Sequence, residues 1–104
     1  MAITSNPAVI NGAAITAQGI NSFLNISTAT AVKSTKGRIV KVNVTTAGSA
    51  AGAVYDRATT SGTGAANLVA TIPNTVGTYT IDFPCANGIV VAPGTGQVVS
   101  ISFN

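Results

Sequence analysis

The side chains from which a chemical mechanism is built are scarce in this chain. Its 104 residues hold two aspartates, Asp56 and Asp82, with no glutamate and no histidine. Against them stand five basic residues: Lys33, Lys36, Arg38, Lys41 and Arg57. General acid–base catalysis needs a group that titrates near neutrality, nucleophilic triads and dyads need an imidazole, and common zinc sites need several His or Cys. Each of these lacks an indispensable member, so the residues point away from an enzyme. Calcium takes about six to eight oxygen ligands, usually with several carboxylates. Two aspartates separated by 26 positions (56 to 82) make a poor set. Neither a metal nor an organic cofactor is expected.

The remaining candidates have plain structural readings. Cys85 is the single cysteine and has no basic neighbour in sequence to lower its pKa, so an inert, partly buried thiol is expected. Unable to pair within the chain, it also fits folding in a reducing compartment. Gly62-Thr63-Gly64 and Gly94-Thr95-Gly96 superficially suggest phosphate loops, but neither is followed by Lys and Ser/Thr opening a helix, so both read as turns. Asn25-Ile26-Ser27 and Asn43-Val44-Thr45 match the glycosylation pattern without any secretion signal to give the match weight. Asp56 reads as a strand end entering a loop, and Asp82 as a residue that pairs a lysine or caps a turn. The densest charge is Lys33, Lys36, Arg38 and Lys41. These residues either keep a strand and its turn soluble or dock an acidic patch on a partner protein, with Lys36, Arg38 and Lys41 the charged docking candidates.

The element that carries those charges is the clearest strand in the chain. In the stretch 37–48, Val40, Val42 and Val44 fall on one face and Lys41, Asn43 and Thr45 on the other, with a glycine at each end. A second alternation places Tyr79, Ile81 and Phe83 together until Pro84 ends the strand, and a third points Val99, Ile101 and Phe103 inward. Shorter β-compatible runs are Phe23–Ile26, Ala29–Val32, Ala53–Asp56, Asn67–Ile72 and Ile89–Val91, the last entered through the tight-turn dipeptide Asn87-Gly88. The loop 57–64 carries two glycines and is expected to be exposed and mobile. Seven to eight short antiparallel strands, turns rich in Gly and Pro, and no sustained helical period predict an all-β, single-domain sandwich of jelly-roll type with minimal helix. The predicted domain is 23–104. Residues 1–22 bear no charged side chain and hold no persistent period, so they read either as an arm that orders on a neighbour or as an ordinary edge strand. Its apolar residues Ile3, Val9, Ile10 and Ile15 join the docking candidates.

Composition bounds the partners. Only 7% of residues are charged, against about 25% in an average globular domain, while 46% are hydrophobic and the mean hydropathy is +0.48. A surface so poor in charge is expected to hide part of itself in an oligomer or larger assembly. No apolar run approaches the roughly 20 residues of a membrane-spanning helix, and no Sec-type leader is recognisable, so neither a membrane nor export is expected. Five basic residues, not interleaved with Phe23, Tyr55, Tyr79, Phe83 and Phe103, are too few for a nucleic-acid footprint.

A wider pattern spans residues 29 to 103. It runs through Ala31-Val32-Lys33, then 37–42 (GRIVKV), 46–56 (TAGSAAGAVYD), Ala65-Ala66-Asn67, Ile72-Pro73, Val76-Gly77-Thr78-Tyr79, Asp82-Phe83-Pro84 and 87–97 (NGIVVAPGTGQ). In this the chain resembles small structural proteins of tailed bacteriophages, of the head decoration (cement) or short head-fibre kind. These are turn and strand signatures and not active-site signatures. The resemblance implies a β-sandwich that binds the major capsid protein on the outer surface of the virion and bridges capsomers, made in the host cytoplasm and associating as a homo-oligomer, a trimer first. The alternative is a tail- or fibre-associated module that binds a host surface glycan. The chain has no tryptophan, and Tyr55 and Tyr79 both fit core-facing patterns, which counts against a sugar-stacking surface.

Overall fold

A computed structural model describes residues 19–104, and eight strands account for most of them. In chain order they are β1 (Asn21–Ile26), β2 (Thr30–Lys33), β3 (Gly37–Thr46), β4 (Gly52–Tyr55), β5 (Leu68–Ile72), β6 (Gly77–Cys85), β7 (Ile89–Ala92) and β8 (Val98–Phe103). The single helical element among the described residues is a 3-10 turn at Ala65–Asn67. Sheet A has the order β1-β8-β3-β6 and sheet B the order β2-β7-β4-β5. Every pairing is antiparallel. First strand pairs with last, second with seventh, third with sixth and fourth with fifth, which is a long antiparallel ribbon wrapped into a jelly roll. The expected all-β sandwich is the fold, and β1 begins two residues inside the stretch read as an arm. Ile3, Val9, Ile10 and Ile15 lie outside the described residues.

The core sits between the sheets and is built from β-branched side chains, which pack well on a pleated surface. Sheet A contributes Ile26, Ile39, Val42, Val44, Cys85, Val99 and Ile101, and sheet B contributes Val54, Ile72, Ile89 and Val91. Tyr79, Ile81 and Phe103 pack against this set partly buried, so the inward stripe of β8 is as expected. Two of the other expectations need correction. Val40 is fully buried but lies outside the main core cluster; the ladder slips between Ile39 and Lys41, and Ile39 joins Val42 and Val44 in that cluster. Phe83 remains 46% exposed, because β6 is an edge strand with cover on one flank only.

Both edges of sheet A are interrupted. The ladder of β1 slips between Phe23 and Ile26, where Asn25 has φ 57°, and that of β6 slips opposite Val40, where Asp82 has φ 50°. Asn and Asp tolerate this left-handed conformation better than other non-glycine residues. Pro84 does not end β6 as expected, since a residue without an N–H is accepted on an edge strand, and the strand runs on to Cys85. Bulges and proline on edges discourage unwanted strand addition.

The connections gather at two ends of the roll. At one end the Asn74 side-chain amide closes on the backbone of Gly48, accepting its N–H and donating to its carbonyl, both at 2.7 Å. The fully buried Gln97 accepts the Gly94 N–H and donates to the Pro73 carbonyl, each at 3.0 Å. A β-carbon on Gly48 would stand 2.0 Å from the Thr95 carbonyl oxygen, so only glycine fits where 47–51 crosses 93–97. At the other end, Asp56 holds the connection 86–88. That connection passes from sheet A to sheet B, and neither Asn87 nor Gly88 adopts the positive φ of a two-residue hairpin. The loop 57–64 is exposed over Thr59–Thr63, as expected, yet it is bound internally. Arg57 donates from Nε and Nη2 to the Ser61 carbonyl, and Asn67 donates to the Gly62 carbonyl while accepting the Gly64 N–H.

Candidate functional site

Because Val42, Val44, Val99 and Ile101 face the core, their neighbours in sequence face outward, and the register of sheet A lines those neighbours up across its four strands. One row runs Ser22, Ser102, Lys41, Thr80. The next runs Ser100, Asn43, Thr78, with Leu24 alongside at the β1 bulge. All of these but Thr80 line a groove of about 280 Å3 whose walls are Ser22, Leu24, Lys41, Asn43, Thr78 and the three β8 residues Ser100, Ile101 and Ser102. Four of the lining residues carry hydroxyls and one an amide, with a single cation and no carboxylate, while most of the accessible lining is apolar.

The hydrogen bonding of the groove leaves mostly donors free. Asn43 Oδ1 accepts the Thr78 hydroxyl, so the Asn43 amide nitrogen remains available. Ser100 Oγ accepts the Asn25 N–H at 3.2 Å. Ser102 Oγ is buried and has no partner among the described residues. Lys41 is half-buried and no hydrogen bond or ion pair occupies its ammonium group among the described residues. Beside the groove, Ile20 (61% exposed), just before β1, and Leu24 (66%) on β1 are uncovered, while Phe23 (39%) pairs with the core-facing Ile101 and so lies on the other face of the sheet.

The three charged docking candidates do not form one patch. Arg38 places Nη1 3.0 Å from Asp82 Oδ1, across the β3–β6 ladder, so its charge is spent locally. Lys36 is exposed in the turn before β3, and Lys33, just upstream, donates to the Asn104 carbonyl at 3.1 Å. Lys41 lies five residues past Lys36, on the order of 16 Å along an extended strand, in the groove. Asp82 is thus paired, but with Arg38 and not with the lysine expected, and Asp56 is more than a strand end. Its carboxylate accepts the N–H groups of Ala86 (3.0 Å), Asn87 (2.8 Å) and Gly88 (3.3 Å). Burial pushes this carboxyl up, but the three N–H donors outweigh it and hold it below the ordinary value of 3.8.

Cys85 is fully buried, and burial first, then the nearby Asp56 charge, pushes its thiol up to about 11. A thiol in that state is a poor nucleophile at neutral pH. Tyr79 packs on the core and donates its hydroxyl to the Thr75 carbonyl at 2.7 Å, which withdraws it from sugar stacking. Among the described residues no three His, Cys, Asp or Glu side chains converge as a metal site would require. The groove can therefore bind, through donors and one positive charge, but holds no proton relay. Sequence reading named Lys41 and Asn43 on the outward face of β3. It also set Thr78 on the polar face of β6, and missed Ser22, Leu24, Ser100 and Ser102, because the pairings of β8 with β1 and β3 bring them there.

Compared with known proteins, the chain matches no family model, no curated sequence and no solved structure.

Proposed function

We propose that this chain is a non-enzymatic structural protein of a tailed-bacteriophage particle, a decoration protein that binds the major capsid protein on the outer shell and ties capsomers together. The observation that carries the reading is the exposure of Ile20 and Leu24, just before and on β1, on a chain with only 7% charged residues. Covering Ile20 and Leu24, each about two-thirds exposed, is worth on the order of 1–2 kcal/mol apiece. One such contact is weak; many copies on a repeating shell, associated as trimers, make it strong through avidity. Jelly rolls occur in capsid and lectin domains alike, so the fold is compatible with the reading without selecting it. The glycan-binding alternative is disfavoured by the groove, whose walls include no aromatic ring.

The test is stoichiometry. Quantitative mass spectrometry of gradient-purified particles should find hundreds of copies, in fixed ratio to the major capsid protein. A handful of copies, or none, would reject the decoration role.

A further inference from the structure

We propose that the groove on the outer face of sheet A is a receptor for a single carboxylate, presented by an acidic side chain of the protein on which this face docks. The inference deepens the docking reading above and rests on it. Its basis is an imbalance of charge and hydrogen bonding that the chain does not resolve by itself. Both of its aspartates are taken elsewhere: Asp82 by Arg38 at 3.0 Å, and Asp56 by three backbone N–H groups of the 86–88 connection. No internal acid is left to neutralise Lys41.

Around Lys41 the free polar atoms are those that an anion needs. Ser102 stands directly opposite it on β8 and carries a buried hydroxyl with no partner among the described residues. Asn43, two residues along the same face, has committed its oxygen to Thr78 and keeps its NH2 group to donate. Residues opposite or two apart on one face of a sheet lie roughly 5–7 Å apart, within reach of one carboxylate and its stem. Charge-assisted hydrogen bonds of this kind are the strong ones. The groove volume of about 280 Å3 takes one side chain or one sugar ring. Two features favour the side chain: no aromatic ring lines the groove for a sugar to stack on, and Leu24, 66% exposed, offers an apolar wall at its rim. An apolar anchor next to an unsatisfied cation is the arrangement expected of a protein interface.

The experiment is a titration of the 15N-labelled chain followed by 1H–15N correlation spectra. The probe is N-acetyl-glutamate N-methylamide, with the glutamine counterpart as neutral control and sodium glucuronate as a sugar carboxylate. Expected are saturable shifts centred on residues 22, 41, 43, 100 and 102 with the glutamate probe only. They should weaken at least tenfold in Lys41→Met and about threefold in Ser102→Ala, both with wild-type spectral dispersion. Equal shifts from the neutral control, shifts centred on Lys33 and Lys36, or binding unchanged in Lys41→Met would overturn the proposal. Preferential binding of glucuronate would overturn it in favour of a sugar-acid site. A chain present in hundreds of copies per particle whose groove ignores carboxylates would refute this inference alone. A carboxylate-binding groove in a chain absent from particles would refute the decoration role alone.

Discussion

Removing the carboxylate of Asp56 should destabilise the whole roll, and the size of the effect can be worked out bond by bond. The connection 86–88 carries the chain from β6 in sheet A to β7 in sheet B in three residues, and its N–H groups have no ladder partner. Asp56 supplies the acceptor for all three. In Asp56→Ala, Ala86 and Asn87 are exposed, so water replaces the lost acceptor and each bond costs only the lower part of the usual net value of about 0.5–1.5 kcal/mol. Gly88 is buried, and its N–H loses its partner where water has poor access, a cost of about 1–3 kcal/mol, reduced by the length of the bond. The sum is about 2–3 kcal/mol, and each kcal/mol lowers the melting temperature of a domain this size by about 4–8 °C. The acid limb follows from the depressed carboxyl. A group whose folded pKa lies below its unfolded value contributes stability above the unfolded value, here 3.8, and loses it as pH falls through the folded one. Asp56→Asn keeps an acceptor oxygen without the charge, so the gap between wild type and Asp56→Asn should be widest near pH 6–7 and close as pH drops below about 4. Urea unfolding from pH 2.5 to 7 measures both. An Asp56→Ala variant within about 0.5 kcal/mol of wild type at pH 7, or a pH-independent gap to Asp56→Asn, would refute the reasoning.

Two further predictions concern buried polar groups. Gln97→Leu keeps the volume but leaves the Gly94 N–H and the Pro73 carbonyl without partners, and should cost about 2–5 kcal/mol by thermal or urea unfolding. Gln97→Glu should be worse at pH 7 than at pH 4, because an ionised carboxylate would be buried against the Pro73 carbonyl; equal stability at the two pH values would contradict this. Cys85, with its thiol pushed up to about 11 by burial and by Asp56, should react with an aromatic disulfide reagent at pH 8 only as fast as the protein unfolds. Stoichiometric labelling within seconds in native buffer would show that the site opens.

The sandwich was readable because its core obeys a period of two in β-branched residues, and that pattern survives in β8, where Val99, Ile101 and Phe103 point inward together. It failed at bulges. One slip opposite Val40 brings Ile39 into the core, and Pro84 looks like a terminator because nothing in its neighbours says that β6 is an edge strand. Edge position is a property of the sheet order, which depends on pairings between strands as far apart as β1 and β8. The groove was half visible for the same reason. Lys41 and Asn43 announce an outward face locally, but Ser22, Ser100 and Ser102 become their neighbours only through register. Gln97 gave no signal: an amide in a Gly-rich turn looks solvent-facing until the 73–76 connection arrives to pair with it.

The placement of the seven ionisable Lys, Arg and Asp side chains gives the sparse charge a consistent logic. Arg38 with Asp82 closes the bulged edge of sheet A, while Arg57 and Lys33 bind backbone carbonyls and Asp56 binds a turn. Five of the seven are therefore used to hold the fold's edges and connections, where unpaired backbone groups would otherwise be costly. Lys36 and Lys41 are left, and only Lys41 sits among unsatisfied donors next to exposed apolar side chains. A protein kept soluble mainly by charge would spread its cations over the surface; this one spends them on structure and leaves a single cation in a groove. Such economy suits a surface meant to be covered, since each additional charge at an interface would have to be desolvated on docking.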